Sequence, residues 1–176
     1  MDYLVSCYYY DDDGLPQNKL FYKFMITKSD IEYLKLAIEN SKKSFEAGNF
    51  PAGAIVVKDG KILSTAVSSP YPGLLHADSK AVTEAFNKIG PLKGATLYIG
   101  LESCLMCAGV AYWSGLRRIV YAVPKSRVSG DYYETHRDTK ELIASFNEPV
   151  EFLHVAEYEE AALTYIKQWE KKYLHT

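Results

Sequence analysis

The sequence predicts an α/β domain whose mixed sheet joins an antiparallel hairpin to parallel crossover units. Three observations predict it. Two strand-like runs meet at Asp59-Gly60, strand-like and helix-like segments then alternate as far as Val123, and each helix-like segment has one apolar face. A length of 176 residues suits one domain with a sizeable core. With 48% hydrophobic and 24% charged residues the balance is globular, which excludes disordered and fibrous classes.

Residues 1–25 read as an amino-terminal extension ahead of a domain over 26–176. Tyr3–Tyr10 and Leu20–Ile26 are aromatic and strand-like, with the acidic, turn-rich Asp11–Asn18 between them. This is the pattern of an extra hairpin or a partner-binding arm, with an ill-ordered extension as the plain alternative. The first helix starts at a Ser29/Glu32 capping box, places Ile31, Leu34, Ile38 and Phe45 on one face, and stops at Gly48. Strands over Ala52–Val57 and Lys61–Val67 flank the Lys58-Asp59-Gly60 turn. A loop containing Pro70, Pro72 and Gly73 leads to a second helix starting near His76, with Ala77, Ala81, Val82, Ala85 and Ile89 on its apolar face.

After Gly90-Pro91 come a strand at Thr96–Ile99, a helix from Cys104 to about Ser114, and a strand at Arg118–Val123. The stretch Gly94–Leu116 carries one charge, Glu102, but small residues interrupt it, and it reads as buried strand plus buried helix rather than a membrane span. The remainder predicts a helix at Thr139–Phe146, a strand at Val150–Leu153, and a last helix with Ala162, Tyr165, Ile166, Trp169 and Tyr173 on one face.

The charge balance, 22 acids against 20 bases, gives −2 and no global basic field for holding nucleic acid. Three cysteines are too few for a disulfide framework and point to a reducing, cytoplasmic setting. The first basic residue is Lys19, so no signal-peptide n-region is expected, and no membrane partner.

Cys104-Leu105-Met106-Cys107 opens a helix after a buried strand, where both thiols face the positive end of a helix dipole and thiolate is favoured. Spacing alone fits a metal site, a redox dithiol or two structural thiols. His76 breaks the tie, because it opens the preceding crossover helix at the same edge of the sheet. One nitrogen and two sulfurs suit zinc, and three protein ligands leave a fourth position for water, the catalytic pattern. Asp78 lies two residues beyond His76 on the opening turn. It has two readings: a general acid–base acting on that water, or a helix-start carboxylate satisfying backbone amides.

At these residues the sequence resembles the cytidine deaminase superfamily. Pro51-Ala52-Gly53-Ala54 resembles the family's Pro-x-Gly-Ala pocket floor, His76-Ala77-Asp78 its His-x-Glu, and Glu102-Ser103-Cys104-Leu105-Met106-Cys107 its Glu-Pro-Cys-x-Met-Cys. Ala108-Gly109, Trp113-Ser114 and Arg118–Tyr121 follow as in the purine-type branch, which holds guanine deaminases and tRNA adenosine deaminases. The resemblance implies a three-layer α/β/α fold with a central mixed sheet, a homodimer, and zinc held by His76, Cys104 and Cys107. Departures accompany the matches. Asp78 replaces glutamate, Ser103 replaces proline, Ser68 stands where an asparagine usually reads substrate, and Ala52 replaces a bulkier floor residue.

The leading expectation is a zinc-dependent hydrolytic deaminase of a free purine-like base or nucleoside, guanine deaminase-like. Asp78 is its catalytic residue, and Ala54, Ser68 and Asp131 contact substrate, with Tyr132, Tyr133 and His136 near the same mouth. A tRNA adenosine deaminase ranks second, since Arg117, Arg118, Lys125 and Arg127 form only a modest basic group. The departures also motivate a third reading, a non-catalytic zinc-binding homologue acting as scaffold or partner subunit. A structural site recruiting Cys7 ranks below these.

Overall fold

The computed structural model describes residues 25–174. The expected hairpin or arm, and Cys7, therefore lie outside the described residues.

Helix α1 spans Lys28–Glu46. It is capped two residues earlier than the Ser29/Glu32 pattern suggests: Thr27 Oγ1 accepts the Asp30 N–H at 3.1 Å and Asp30 Oδ2 accepts the Thr27 N–H at 2.7 Å. Both Thr27/Asp30 and Ser29/Glu32 satisfy the capping-box rule. Tertiary structure selects the first, because the Asp30 carboxylate also receives Tyr98 and Arg118. The helix buries Leu34, Ala37 and Ile38 and is followed by Gly48 at φ +79°.

Strands β1 (Gly53–Lys58) and β2 (Lys61–Val67) pair antiparallel, with Lys58 opposite Lys61. Asp59 (φ 50°) and Gly60 (φ 73°) are both left-handed, as a two-residue type I′ turn requires. Helix α1 crosses β1 so closely that a Cβ at Gly53 would collide with the backbone of residues 37–41. Then follow α2 (Ala77–Ile89), β3 (Thr96–Leu101), α3 (Leu105–Trp113), β4 (Arg118–Val123), α4 (Thr139–Ala144), β5 (Glu151–His154) and α5 (Glu159–Tyr173).

The five strands stand in the order β2-β1-β3-β4-β5. β1 is antiparallel to both β2 and β3, whereas β3, β4 and β5 are mutually parallel. β2 and β3 thus run the same way with β1 between them, so α2 crosses over one strand and α3 connects true neighbours. α1 and α5 pack together on one face, and α2 with α3 covers the other, giving three layers. The expected fold class holds.

Between the layers lie Ile55, Val56, Leu97, Ile119, Val120 and Tyr121 from the sheet, met by Leu34, Val82, Leu163 and Ile166. Two expected core residues are corrected. Ile89 is 45% and Tyr173 39% exposed, both in the last turn of their helices, whereas Ala77, Ala81, Val82 and Ala85 are buried as the pattern predicts. No helix among the described residues is long and apolar enough to cross a membrane.

Candidate active site

β2 and β3 end at the same edge of the sheet, and α2 and α3 begin there, at the carboxyl ends of parallel strands where open α/β sheets hold ligands. The N-cap residues are His76 and Cys104, both with extended backbone, and neither side chain makes the usual capping bond. Each turns toward the other instead. His76 Nδ1 lies 3.5 Å from Cys104 Sγ and 3.5 Å from Cys107 Sγ, and the three donor atoms all fall within 4.8 Å of one another.

This geometry fits zinc. Tetrahedral bonds of about 2.3 Å to sulfur and about 2.0–2.1 Å to nitrogen require an N···S edge of about 3.5 Å. The donor set, one imidazole and two thiols, is one zinc accepts, and the two thiols come from the N-cap and the first turn of α3.

Without metal, the thiols divide the charge between them. The hydrogen bond with Cys107, helped by His76, pulls Cys104 down to about 6 against its burial. Cys107 is pushed up, first by its hydrogen bond to Cys104, then by burial and the negative charge of Asp78. His76 is raised by its contact with Cys104, which outweighs desolvation. A bound dication would take the place of the remaining thiol proton.

Asp78, 3% exposed, sits in the first turn of α2. Its Oδ1 accepts the N–H of Ser79 at 3.1 Å, and the carboxylate lies beside the Cys107 thiol. Asp78 thus satisfies a backbone amide and borders the donor cluster.

These groups open into a cavity of about 220 Å³. Ser68, Asp131, Tyr132 and Tyr133 line it together with His76, Asp78 and Cys104. Ser68 is held there by its own N–H, shared between Ala52 O and Ser44 Oγ. Asp131 occupies a short 3₁₀ turn (Gly130–Tyr132), its carboxylate accepting Ser129 Oγ at 3.0 Å. Ala54 does not line the cavity: it is fully buried in β1 between Ala66 and Ile99, and Ala52 borders the cavity instead. His136 is exposed and outside the lining.

Sequence reasoning missed Phe50 and Tyr71, which form the aromatic wall with Tyr132; ring centroids stand 5.9 Å (Phe50–Tyr71) and 5.0 Å (Phe50–Tyr132) apart. Trp169 of α5 backs the wall at 5.3 Å from Phe50. The only local signal was aromatic residues set beside prolines. A larger concavity of about 710 Å³ lies between α2 and α3, bordered by Phe86, Met106 and the 85%-exposed Trp113. Its lining holds neither the three donors nor Asp78, so it is not where the chemistry belongs.

Comparison with known proteins fits this geometry. Residues 27–123 match the cytidine and deoxycytidylate deaminase zinc-binding region. A tRNA-specific adenosine deaminase of Bacillus subtilis is 37% identical over 105 residues, 56% of this chain and 65% of that protein, so the match spans just under two thirds of the relative. A probable cytosine deaminase of Schizosaccharomyces pombe is 26% identical over 154 residues, covering 82% of this chain and 95% of that one. The guanine deaminase structure from Nitrosomonas europaea superposes with a TM-score of 0.69 at 18% identity, over 84% of this chain and 86% of the other, a likeness of fold. The chain belongs to the cytidine and deoxycytidylate deaminase family, the zinc-binding deaminases.

Proposed function

Starting from that membership, we propose that the protein is a zinc-dependent hydrolytic deaminase of a free purine-like base or nucleoside. His76, Cys104 and Cys107 hold the metal and Asp78 serves as the general acid–base. The observation that carries the proposal is the 220 Å³ cavity lined by His76, Cys104 and Asp78 together with the aromatic rings of Phe50, Tyr71 and Tyr132. That space suits a single ring system, and flat rings stack on aromatic walls.

When bound, zinc supplies an acidified water as nucleophile. The protein's own groups do the rest. Asp78 takes one proton from the attacking water and passes it to a ring nitrogen, then takes the second from the hydroxyl left on the ring carbon and gives it to the exocyclic amine; the C–N bond breaks, ammonia leaves and the ring carbon becomes a carbonyl. Phe50, Tyr71 and Tyr132 orient the ring, and Ser68 and Asp131 meet its polar edge.

A tRNA substrate is the second reading, favoured by the Bacillus subtilis relative. The basic group expected to hold phosphates is otherwise engaged. Arg117 pairs with Glu148, Arg118 with Asp30 and Glu151, Arg127 with Glu159 and Glu160, and Lys125 Nζ bonds the Thr135 and Arg137 carbonyls. This favours a small substrate over a polyanion. A cytoplasmic homodimer completes the proposal; the exposed α2–α3 concavity around Trp113 supports the association, and sedimentation analysis checks it.

The decisive experiment measures ammonia release from zinc-loaded protein against purine and pyrimidine bases, nucleosides and a tRNA stem-loop. Turnover of a free purine base or nucleoside supports the proposal, and turnover confined to pyrimidines overturns its substrate class. Inosine formed only in the stem-loop, with steep salt dependence, moves it to the second reading. Silence across the panel, persisting in Asp78→Glu, assigns the chain to the non-catalytic homologues.

A further inference from the structure

The turn Glu102-Ser103-Cys104 carries a metal-ligating thiol, yet its own middle does little to hold it. The Cys104 side chain makes no capping bond, and the buried Ser103 Oγ has no hydrogen-bond partner among the described residues. The restraint comes from about thirty residues further along. Tyr133 Oη donates to the Glu102 carbonyl at 2.8 Å, before Cys104, and Glu134 Oε1 accepts the Met106 N–H at 2.8 Å, after it. The second bond satisfies an amide that every helix start leaves open and that Cys104, turned to His76, does not serve. Two consecutive residues thus straddle the ligand.

The segment bearing them is itself fastened to the same turn. Lys125 N–H donates to Glu102 Oε2 at 2.8 Å. Lys125 Nζ reaches the carbonyls of Thr135 and Arg137 and stands 4.9 Å from the Tyr133 ring centroid. Tyr133 also lines the substrate cavity, so one segment touches both the mouth and the ligand turn.

We propose that Tyr133 and Glu134 form a clasp that fixes Cys104 and Cys107 for the metal: they are positioning residues, acting through the Glu102 carbonyl and the Met106 amide. The inference rests on reading His76, Cys104 and Cys107 as the zinc site. Partners behind metal ligands commonly set affinity by about 10–100-fold.

The test compares the full chain with Y133F, E134A and E134Q. Zinc dissociation constants are measured by chelator competition, and the sulfur-to-metal charge-transfer band is recorded after cobalt substitution. Y133F and E134A each weaken zinc by about 10–100-fold and alter the band, whereas E134Q, whose amide oxygen still accepts the Met106 N–H, stays within about threefold of wild type. Wild-type affinity and an unchanged band in both Y133F and E134A overturn the clasp. So does an E134Q as weak as E134A, which assigns the effect to charge alone. Glu134 is exposed, so E134A tests the idea even if Y133F fails to fold. A wild-type protein that binds no stoichiometric zinc refutes the metal site instead, a separate outcome.

Discussion

Two clusters of buried polar side chains lie at opposite ends of the parallel strands, and they are built on opposite terms. At the amino end of β4, Asp30 accepts hydrogen bonds from the Thr27 N–H and hydroxyl, from Tyr98 Oη at 2.7 Å and from Arg118 at 2.6 and 3.1 Å, while Arg118 also reaches Glu151 and the Met25 carbonyl. Burial alone would raise the Asp30 carboxyl, but the bonds from Arg118, Thr27 and Tyr98 hold it below its ordinary value. At the carboxyl ends of β2 and β3, His76 and Cys104 forgo their capping bonds, Ser103 Oγ has no hydrogen-bond partner among the described residues, and Asp78 spends one oxygen on a neighbouring amide. A saturated cluster has no bond left for a ligand and acts on stability. An unsaturated one keeps its donors for chemistry.

The largest expected effect breaks the unsaturated cluster. His76→Ala removes the only nitrogen donor of the trio, and the protein should lose stoichiometric zinc by elemental analysis together with all deaminase turnover. Asp78→Asn comes next. It keeps the shape, and an amide oxygen can still accept the Ser79 N–H, so zinc content should stay at wild type while turnover falls by about 10²–10⁴-fold. Equal loss of zinc and turnover would instead make Asp78 a structural residue. Asp78→Glu sharpens the same point, because a reach differing by about 1 Å alters rate by about a hundredfold.

Smaller still is the effect of breaking the saturated cluster. Asp30→Asn leaves Arg118 short of its closest partner and should destabilise the fold by about 3 kcal/mol, lowering Tm by about 6–12 °C, with the catalytic constants at 25 °C unchanged. Because the folded Asp30 has a depressed pKa, its contribution is complete above the unfolded value of about 3.9 and disappears as pH falls through the lower folded value. Wild-type stability should therefore drop more steeply than that of Asp30→Asn as pH is taken from 5 to about 3, measured by thermal melts of the metal-free proteins. Parallel curves would show that the cluster contributes nothing to acid sensitivity.

Much of this site is legible in the sequence. The Asp59-Gly60 turn, the strand at Arg118–Val123 and the helix starts at His76 and Cys104 are local signals, and the structure reproduces them within a residue or two. Ser29/Glu32 failed as a cap because an equally good local pattern existed two residues earlier and only Arg118 and Tyr98, far along the chain, could choose between them. Phe50, Tyr71 and Glu134 carry no motif at all. Their positions follow from how loops and α5 fold back over the sheet edge.

The sequence by itself determined which atoms could meet a metal, since residue type and helix-start spacing are properties of short segments. It also determined the order of strands and helices, through periodicity. Tertiary structure alone decided that a Cys104-bearing turn is held by residues 133 and 134, that an aromatic wall closes a 220 Å³ space, and that Arg118 is bound to Asp30 rather than free for phosphate. Among them, the Asp30–Arg118 pair joins positions 88 apart. Packing of the whole chain, not local preference, sets which of many possible partners each side chain finds.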